Sequence, residues 1–414
     1  MPDSVVHLSA VVIGGGPAGL MVAEQLSKAG VLVDLYDAMP TVGRKFLRAG
    51  IGGLNLTHNE DWQDFTDRYG DKAPLLKPIL DSFTANDLRD WAAGLDVETF
   101  VGSSGRVFPV EKKAAPLLRR WLRRLRDNGV RIHSRHRWLD WDDSGNLRIQ
   151  GPDKLLTVKA EMTFFALGGG SWSALGSDGH WLAKFKAAGT SCQEFRPSNC
   201  GFEYPWSADI LSNYSGSPLK LIAVSVCDNR GVEWRQRGDA VIASYGIEGG
   251  PVYGISAAMR DVIEQRGECT VYWDLDPDRS LEKLQAAIAK RRPKDSLANV
   301  LRKQCGLVGN KLAMFKALTS KAQMADLDGL PVLIKNLPQT ITAIRPLDEA
   351  ISTDGGICFS AIDDKLMLMQ RPNTYCVGEM LDWEAPTGGY LLTACFATAV
   401  WAAKAALARK ATSE

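Results

Sequence analysis

The sequence has few histidines and no clustered cysteines, and its charges nearly cancel. Its 414 residues include five histidines, and 49 lysines and arginines stand against 48 aspartates and glutamates, a formal net charge of +1. This balance excludes a histone-like polycation, an acidic tail protein and a disordered polyelectrolyte. The eight cysteines are dispersed without a CxxC pair. That pattern argues against a disulfide framework or a zinc site and favours reduced thiols in the cytoplasm.

Metal-ligand patterns are also scarce. His133 and His136 are the one close pair of histidines in the sequence. On a strand, that spacing directs the two side chains to opposite faces. We therefore expect no metal site.

Long apolar runs are lacking as well. The longest charge-free run, residues 385–403, has 19 residues. It begins with Ala-Pro-Thr-Gly-Gly-Tyr, so a continuous helix is predicted only for the 13 residues 391–403. That length favours a buried core helix over a membrane span. The N-terminus carries Asp3 where a secretory signal carries lysine or arginine. We expect a cytoplasmic protein without membrane contact.

Glycine is abundant, and near the N-terminus it forms a dinucleotide-binding fingerprint. A short apolar run precedes a GxGxxG element, Gly14-Gly15-Gly16-Pro17-Ala18-Gly19. A helical pattern follows, and a second apolar run over residues 31–36 ends at Asp37. In this context Gly14 permits a tight turn, Gly16 lets the backbone approach a pyrophosphate, and Gly19 allows close helix–strand contact. Asp37 would accept hydrogen bonds from a ribose diol.

A basic segment occupies residues 106–137, with 11 lysines and arginines and two acids. Leucines and a tryptophan recur at helical spacing on one predicted face, and the other predicted face carries Arg119, Arg120, Arg123, Arg124 and Arg126. Asn128-Gly129 ends this helix, and residues 130–141 are predicted to form a strand. Two interpretations remain open: a solvated amphipathic helix, or a phosphate- or RNA-facing stripe along residues 117–126.

The remaining patterns indicate a domain with an insert. The apolar strand at residues 163–167 leads into Gly168, but it lacks the GxGxxG spacing, so no dedicated NAD(P) domain is expected. Residues 195–275 alternate short apolar runs with turns, which is typical of an antiparallel β insert, and residues 278–325 have a helical pattern. A strand at residues 373–377 and a closing helix return the chain to the first domain.

Several motifs resemble the BaiN/RdsA (YhiN-type) flavoproteins of the glutathione-reductase-like FAD superfamily, almost from end to end of the chain. The resembling segments are GGGPAG at 14–19, GRKFL at 43–47, GGLNLT at 52–57, GRVFP at 105–109, ALGG at 166–169, GGP at 249–251, Gly378-Glu379 with Asp382, and TGGY at 387–390. The resemblance implies an α/β fold with a Rossmann-like FAD-binding domain of the GR2 type over residues 1–194 and 341–414. A β-rich, then helical, insert domain over residues 195–340 would interrupt it.

The resemblance also implies FAD, bound in an extended form by residues spread over the first domain. Asp37 would hold the adenosine ribose, and the backbone near Trp138 would flank the adenine. Glu379 stands where this superfamily usually has an aspartate for the ribityl chain. The implied cofactor-binding residues are Gly14, Gly16, Ala18, Gly19, Asp37, Arg44, Asn55, Trp138, Gly168, Gly378, Glu379, Gly388, Gly389 and Tyr390.

One stretch departs from the family pattern. Family members typically carry Gly-Gly-Gly-Arg-Cys-Asn where this chain has Gly50-Ile51-Gly52-Gly53-Leu54-Asn55. Gly53 and Leu54 thus replace an arginine and a cysteine, and family chemistry that needs this cation and thiol does not transfer to this chain.

The function that these features imply is an FAD-dependent oxidoreductase, which transfers a hydride between flavin and a small organic substrate held between the domain and its insert. The candidate proton donors are Lys45, Tyr390 and Cys395. NAD(P)H is expected as a transient electron donor. Three alternatives remain open: a reductase of a uridine in ribosomal RNA that binds through the basic helix 117–126 and residues 290–294, an amine or aminoketone oxidase, and a flavin-binding protein without efficient turnover.

Overall fold

The structure, a computed structural model, describes residues 5–49, 52–292 and 294–412. Asp3, Gly50, Ile51 and Pro293, which entered the sequence predictions, lie outside the described residues. The chain divides into two compact units. The first unit comprises Met1–Arg196 and Ser352–Glu414, and the second comprises Pro197–Ile351.

Both units of the chain contain strands and helices. The strands are β1 (Val6–Ile13), β2 (Val33–Asp37), β3 (Thr57–His58), β4 (Thr99–Val101), β5 (Arg106–Pro109), β6 (Arg131–Ser134), β7 (Arg137–Trp141), β8 (Leu147–Gln150), β9 (Leu155–Phe165), β10 (Cys192–Ser198), β11 (Phe202–Glu203), β12 (Ser217–Cys227), β13 (Glu233–Ala243), β14 (Gly246–Gly249), β15 (Cys269–Asp274), β16 (Leu337–Ile341), β17 (Ala343–Ile344), β18 (Ser352–Ile357) and β19 (Thr374–Cys376). The helices are α1 (Pro17–Lys28), α2 (Arg44–Ala49), α3 (Trp62–Asp67), α4 (Ala73–Asp81), α5 (Ala85–Ala93), α6 (Ala114–Asp127), α7 (Trp181–Ala187), α8 (Ala208–Tyr214), α9 (Gly250–Gly254), α10 (Ser256–Arg266), α11 (Leu281–Ala289), α12 (Leu297–Asn299), α13 (Gly309–Leu318), α14 (Lys321–Ala325), α15 (Leu330–Lys335) and α16 (Tyr390–Ala411).

The main sheet of the first unit brings the ends of several strands to one edge. Its order is β6-β2-β1-β9-β8-β7, and β19 also pairs with β9. The pairs β1–β2, β1–β9, β2–β6 and β9–β19 are parallel. In this register Ile13 lies opposite both Tyr36 and Phe165. The carboxyl ends of β1, β2, β9 and β19 therefore meet at one edge, which is where open parallel sheets bind ligands.

The strand predicted over residues 130–141 is broken into β6 and β7. Arg135 adopts a φ of 58°, a left-handed conformation that turns the chain between them. His136 therefore leaves the strand, and its ring centroid lies 5.6 Å from that of His133. Both rings contact Tyr36. The expectation that this pair points to opposite faces was wrong, although the described residues contain no group of three or more metal-binding side chains.

Helix α16 forms part of the core of the first unit. It has 22 residues, because Lys404 and the residues after it continue the helix beyond the 13 predicted. By length and composition alone it could cross a membrane, but 56% of its most apolar window is buried within the protein. It contacts α1 and α4.

A buried carboxylate corrects the predicted face of α6. Glu24 on α1 is fully buried and accepts hydrogen bonds from the indoles of Trp91 at 3.0 Å and Trp121 at 2.6 Å. Arg124 on α6 forms an ion pair with Glu24 at 2.8 Å and is therefore turned inward. The outer face that remains exposed carries Arg119, Arg123 and Arg126.

The second unit is built on a separate antiparallel sheet. Its strand order is β16-β15-β12-β13-β14-β11-β17. Buried side chains of this sheet and of α10, α11, α13 and α15 form its own hydrophobic core. The sequence prediction was a β-rich and then helical insert over residues 195–340, and the second unit spans Pro197–Ile351.

Candidate cofactor-binding and active site

A cleft lies at the carboxyl edge of the main sheet in the first unit. It encloses about 1040 Å³ of space, part of which is open to solvent. The loops after β1, β2 and β9 line it, together with the start of α2, the start of β7, α7 and one side of α16. A cleft at this position, outside the carboxyl ends of parallel strands, is where open α/β sheets bind nucleotides.

Three glycines of the fingerprint loop have different physical tasks. A Cβ at Gly14, where φ is 106°, would lie 2.3 Å from the carbonyl oxygen of Ala166, and one at Gly19 would lie 1.9 Å from that of Gly14. Both glycines are therefore required by the fold itself. Gly16 has an ordinary φ of −78°, and a Cβ there would have no described atom within 4 Å. The space beside Gly16 is thus free for a ligand.

Helix α1 presents its amino end to this space. It begins at Pro17, and no side chain caps its first turn. Its first N–H groups are therefore free to bind an anion, an interaction that the helix dipole favours. Gly43 N–H donates to the carbonyl of Gly15 at 2.8 Å, which holds the start of α2 beside the same loop.

Asp37, at the end of β2, is fixed by two backbone hydrogen bonds. Its Oδ2 accepts from Gly15 N–H at 2.6 Å, and its Oδ1 accepts from Met39 N–H at 2.7 Å. Burial raises the pKa of Asp37, and the two backbone donors, with Arg137 and Arg44, offset only part of that rise. Each oxygen keeps a second lone pair, so the carboxylate can still accept from a ribose hydroxyl.

Two buried donors along the cleft have no acceptor within the described part of the chain. They are the Nε of Arg44 and the indole Nε1 of Trp138, which is only 5% exposed. A buried donor without a partner costs about 1–3 kcal/mol. These groups, the free space at Gly16 and the uncapped end of α1 therefore fit a nucleotide cofactor with a diphosphate.

Two charged side chains, Lys45 and Glu379, form a cluster in the cleft lining. Lys45 Nζ donates to Ser171 Oγ at 2.7 Å and contacts both carboxylate oxygens of Glu379, at 3.1 and 3.0 Å. Thr353 N–H donates to Glu379 Oε1 at 3.2 Å. Cys395 also lines the cleft, and burial, together with the charge of Glu379, raises the pKa of its thiol to about 12. That thiol keeps its proton at neutral pH.

Tyr390 lies in an aromatic cluster outside the cleft lining. Its hydroxyl donates to Glu60 Oε1 at 2.5 Å, and its carbonyl accepts from Tyr69 at 2.8 Å. Burial and the hydrogen bond to Glu60 raise the pKa of Tyr390. Arg68 pairs with Glu60 at 2.6 Å, so this carboxylate is already balanced by a cation.

The structure brings many of the sequence-predicted residues together. Those that line the cleft are Gly14, Gly16, Ala18, Asp37, Arg44, Lys45, Trp138, Gly168, Glu379 and Cys395. Those outside its lining are Gly19, Asn55, Gly378, Gly388, Gly389 and Tyr390. Gly389 has a structural task instead, because a Cβ there would lie 2.5 Å from the Cα of Thr57.

The sequence predictions missed several lining residues. Met39, His136, Arg137 and Lys184 also line the cleft. His136 and Arg137 precede Trp138, and that adjacency was a usable signal. Lys184 comes from α7, with its ammonium 5.3 Å from the centroid of the Trp138 ring. Nothing in the sequence around Lys184 indicates that this residue lines the cleft.

Comparisons with known proteins identify the family of this chain. A model of the family described as HI0933-like protein Rossmann domain matches residues 8–405. A 3-dehydro-bile acid delta(4,6)-reductase of Clostridium scindens is 25% identical over 419 residues, which cover 96% of this chain and 98% of that protein. A ribosomal RNA dihydrouridine synthase of Haemophilus influenzae is 24% identical over 397 residues, which cover 92% and 94%.

Solved structures support the fold. The 3-ketosteroid delta1-dehydrogenase of Sterolibacterium denitrificans superposes with a TM-score of 0.54 at 12% identity, covering 97% of this chain and 100% of that one. At that identity the similarity shows a shared fold alone.

Proposed function

This chain belongs to the HI0933-like family and is an FAD-dependent oxidoreductase, and from this premise we propose that it reduces a small conjugated ketone. The observation that carries the proposal is the nucleotide cleft, with free space at Gly16, an uncapped helix end and an unpartnered Arg44 Nε. The bile acid reductase, which matches almost the whole of both chains, supports a substrate of this class.

The cleft residues have separate tasks in this proposal. Gly16 and the start of α1 bind the diphosphate, Asp37 binds ribose hydroxyls, and Arg44 donates to an anionic oxygen. When bound, FAD supplies a centre that accepts and donates hydride.

The proposed reaction balances with a nicotinamide as the electron donor. The β-carbon of the enone gains a hydride and the α-carbon gains a proton, so the C=C bond becomes a single bond. NADH or NADPH supplies the electron pair. Among the candidate proton donors, Lys45 and Cys395 line the cleft, whereas the hydroxyl of Tyr390 is directed to Glu60.

An anaerobic experiment tests this function. We expect NADH or NADPH to bleach the flavin absorbance, and a conjugated steroid ketone to restore it faster than air does. Rapid bleaching by an amine, with none by either nicotinamide, would instead identify an amine oxidase. Bleaching that no enone reverses would favour a flavin-binding protein without efficient turnover.

A second candidate is favoured by the exposed face of α6. Arg119, Arg123 and Arg126 are spaced by four and three residues, so they share one exposed face of the helix. Such a stripe suits the phosphates of RNA. With the ribosomal RNA dihydrouridine synthase among the relatives, it supports reduction of a uridine in RNA.

Charge reversal separates the two candidates. If the stripe binds RNA, the triple variant R119E/R123E/R126E should weaken binding and reduce the salt dependence by about two in log–log slope. The control K154E/K159E/K404E makes the same charge change at exposed residues elsewhere in the first unit. A purified protein that ignores RNA at low salt would contradict this candidate.

A further inference from the structure

Lys45 connects segments of the first unit that are far apart in sequence. It is the second residue of α2, and its Nζ contacts Ser171, which follows β9, and Glu379, which follows β19. The separations along the chain are 126 and 334 residues. One ammonium group therefore joins α2 to the segments that follow β9 and β19.

Each partner of Lys45 is itself held in place. Ser171 is fully buried. Glu379 lies in a short 3-10 turn, Gly378–Met380. At the start of this turn Gly378 N–H donates to Thr398 Oγ1 at 3.0 Å, and its carbonyl accepts from the indole of Trp383 at 3.0 Å. The carboxylate is thus fixed by its backbone as well as by its ion pair.

The contacts of Lys45 use its whole hydrogen-bonding capacity. An ammonium has three donors and no acceptor. Here the Nζ lies within 3.1 Å of three oxygens, Ser171 Oγ and the two oxygens of Glu379. The side chains of Lys45 and Glu379 are 26% and 12% exposed, so water screens the pair only partly. Removal of the cation would leave a carboxylate of this low exposure unpaired, which is costly.

We propose that Lys45 is a positioning residue that acts through Glu379. Its ammonium holds the carboxylate in one orientation at the cleft, where Glu379 accepts hydrogen bonds from hydroxyl groups of FAD. The role differs from that of a proton donor, because donation would require the ammonium to leave three acceptors. The inference rests on FAD binding in this cleft and does not depend on the substrate.

The test measures the affinity of the apoprotein for FAD by fluorescence, in the absence of substrate. We expect K45M and E379Q each to weaken FAD binding about tenfold to a hundredfold, the range for losing a hydrogen bond to a charged group. Because Lys45 acts through Glu379, the double variant K45M/E379Q should bind within about threefold of E379Q. K45R, which retains the cation, should restore most of the affinity.

A matched control and a folding check accompany these variants. K77M removes another lysine that pairs with an acid, Asp81 at 2.9 Å, but outside the cleft, and it should bind FAD normally. Melting of each apoprotein reports folding. If K45M does not fold, S171A removes one acceptor of the same ammonium and should weaken FAD binding by a few-fold.

Three results would overturn the inference: normal FAD affinity in K45M, effects of K45M and E379Q that multiply in the double variant, or no rescue by K45R. Since no substrate is present, these outcomes are distinct from a failure of the proposed enone reduction.

Discussion

Replacing Gly16 with alanine should reduce the stabilisation that the cofactor gives while leaving the apoprotein folded. The φ of −78° suits alanine, and its methyl group would meet no described atom within 4 Å. At a compatible position, Gly→Ala stabilises by about 0.4–1 kcal/mol through the unfolded chain. Alanine is a poorer helix N-cap than glycine, which offsets that gain. We therefore expect the free energy of unfolding of the apoprotein to change by less than about 1 kcal/mol.

The effect on FAD should be much larger. If the diphosphate approaches the backbone at Gly16, the new methyl group occupies its space at a cost of about 1–3 kcal/mol, the cost of overpacking a filled site. That corresponds to a loss of affinity of about 5- to 150-fold. At a concentration of 100 times Kd, FAD stabilises the wild type by about 2.7 kcal/mol. At the same FAD concentration, G16A should retain only about 0.3–1.8 kcal/mol of that gain.

The matched control is G19A, whose methyl group would lie 1.9 Å from the carbonyl oxygen of Gly14. This contact should destabilise the apoprotein itself by about 1–3 kcal/mol. The assay is thermal melting of each apoprotein with and without FAD, where 1 kcal/mol corresponds to about 2–4 °C. A G16A variant that melts like the wild type and retains the full FAD-induced shift would refute the diphosphate site at Gly16.

Three further outcomes are expected. Y390F removes the hydroxyl that donates to Glu60 and should lower the free energy of unfolding by about 1.5–3 kcal/mol in urea titrations, with the FAD content of the folded protein unchanged. Because the pKa of Cys395 is raised to about 12, iodoacetamide should alkylate it slowly at pH 8 and faster as the pH rises, while exposed Cys227 reacts first in mass spectra; fast labelling of Cys395 at pH 8 would contradict its burial. E24A removes a fully buried carboxylate that pairs with Lys28 and Arg124, and it leaves the indoles of Trp91 and Trp121 without this acceptor. It should cost about 3–5 kcal/mol in urea titrations, and a loss below 1 kcal/mol would contradict this account.

The parallel half of the fold was predictable because its signals are local. The strand, the glycine turn, the helix and the acid at Asp37 follow one another within 28 residues, 10–37, and each has a distinct residue pattern. The turn at Arg135 was not predictable in the same way. A non-glycine residue with a φ of 58° has no marker in a single sequence, so one predicted strand became two and His136 moved beside His133.

The polar partners in the core depend on long-range contacts. Helical spacing placed Arg124 on the outer face, but a buried acid 100 residues earlier turns it inward. The contacts of Lys45 with Ser171 and Glu379 span 126 and 334 residues. Periodicity describes one element at a time and carries no information about such pairs.

The order in which the ribosome synthesises the chain determines when the cleft can first bind FAD. Its walls include Gly14 near one end of the polypeptide and Cys395 near the other, with the whole second unit between them. At about 5–20 residues per second, Cys395 leaves the peptidyl transferase centre roughly 20–75 s after Gly14. The second unit can fold on the ribosome in that interval, whereas the fingerprint loop must wait for α16. Cofactor loading is therefore timed by the synthesis of α16, and a nascent chain competes for FAD only after that helix has emerged.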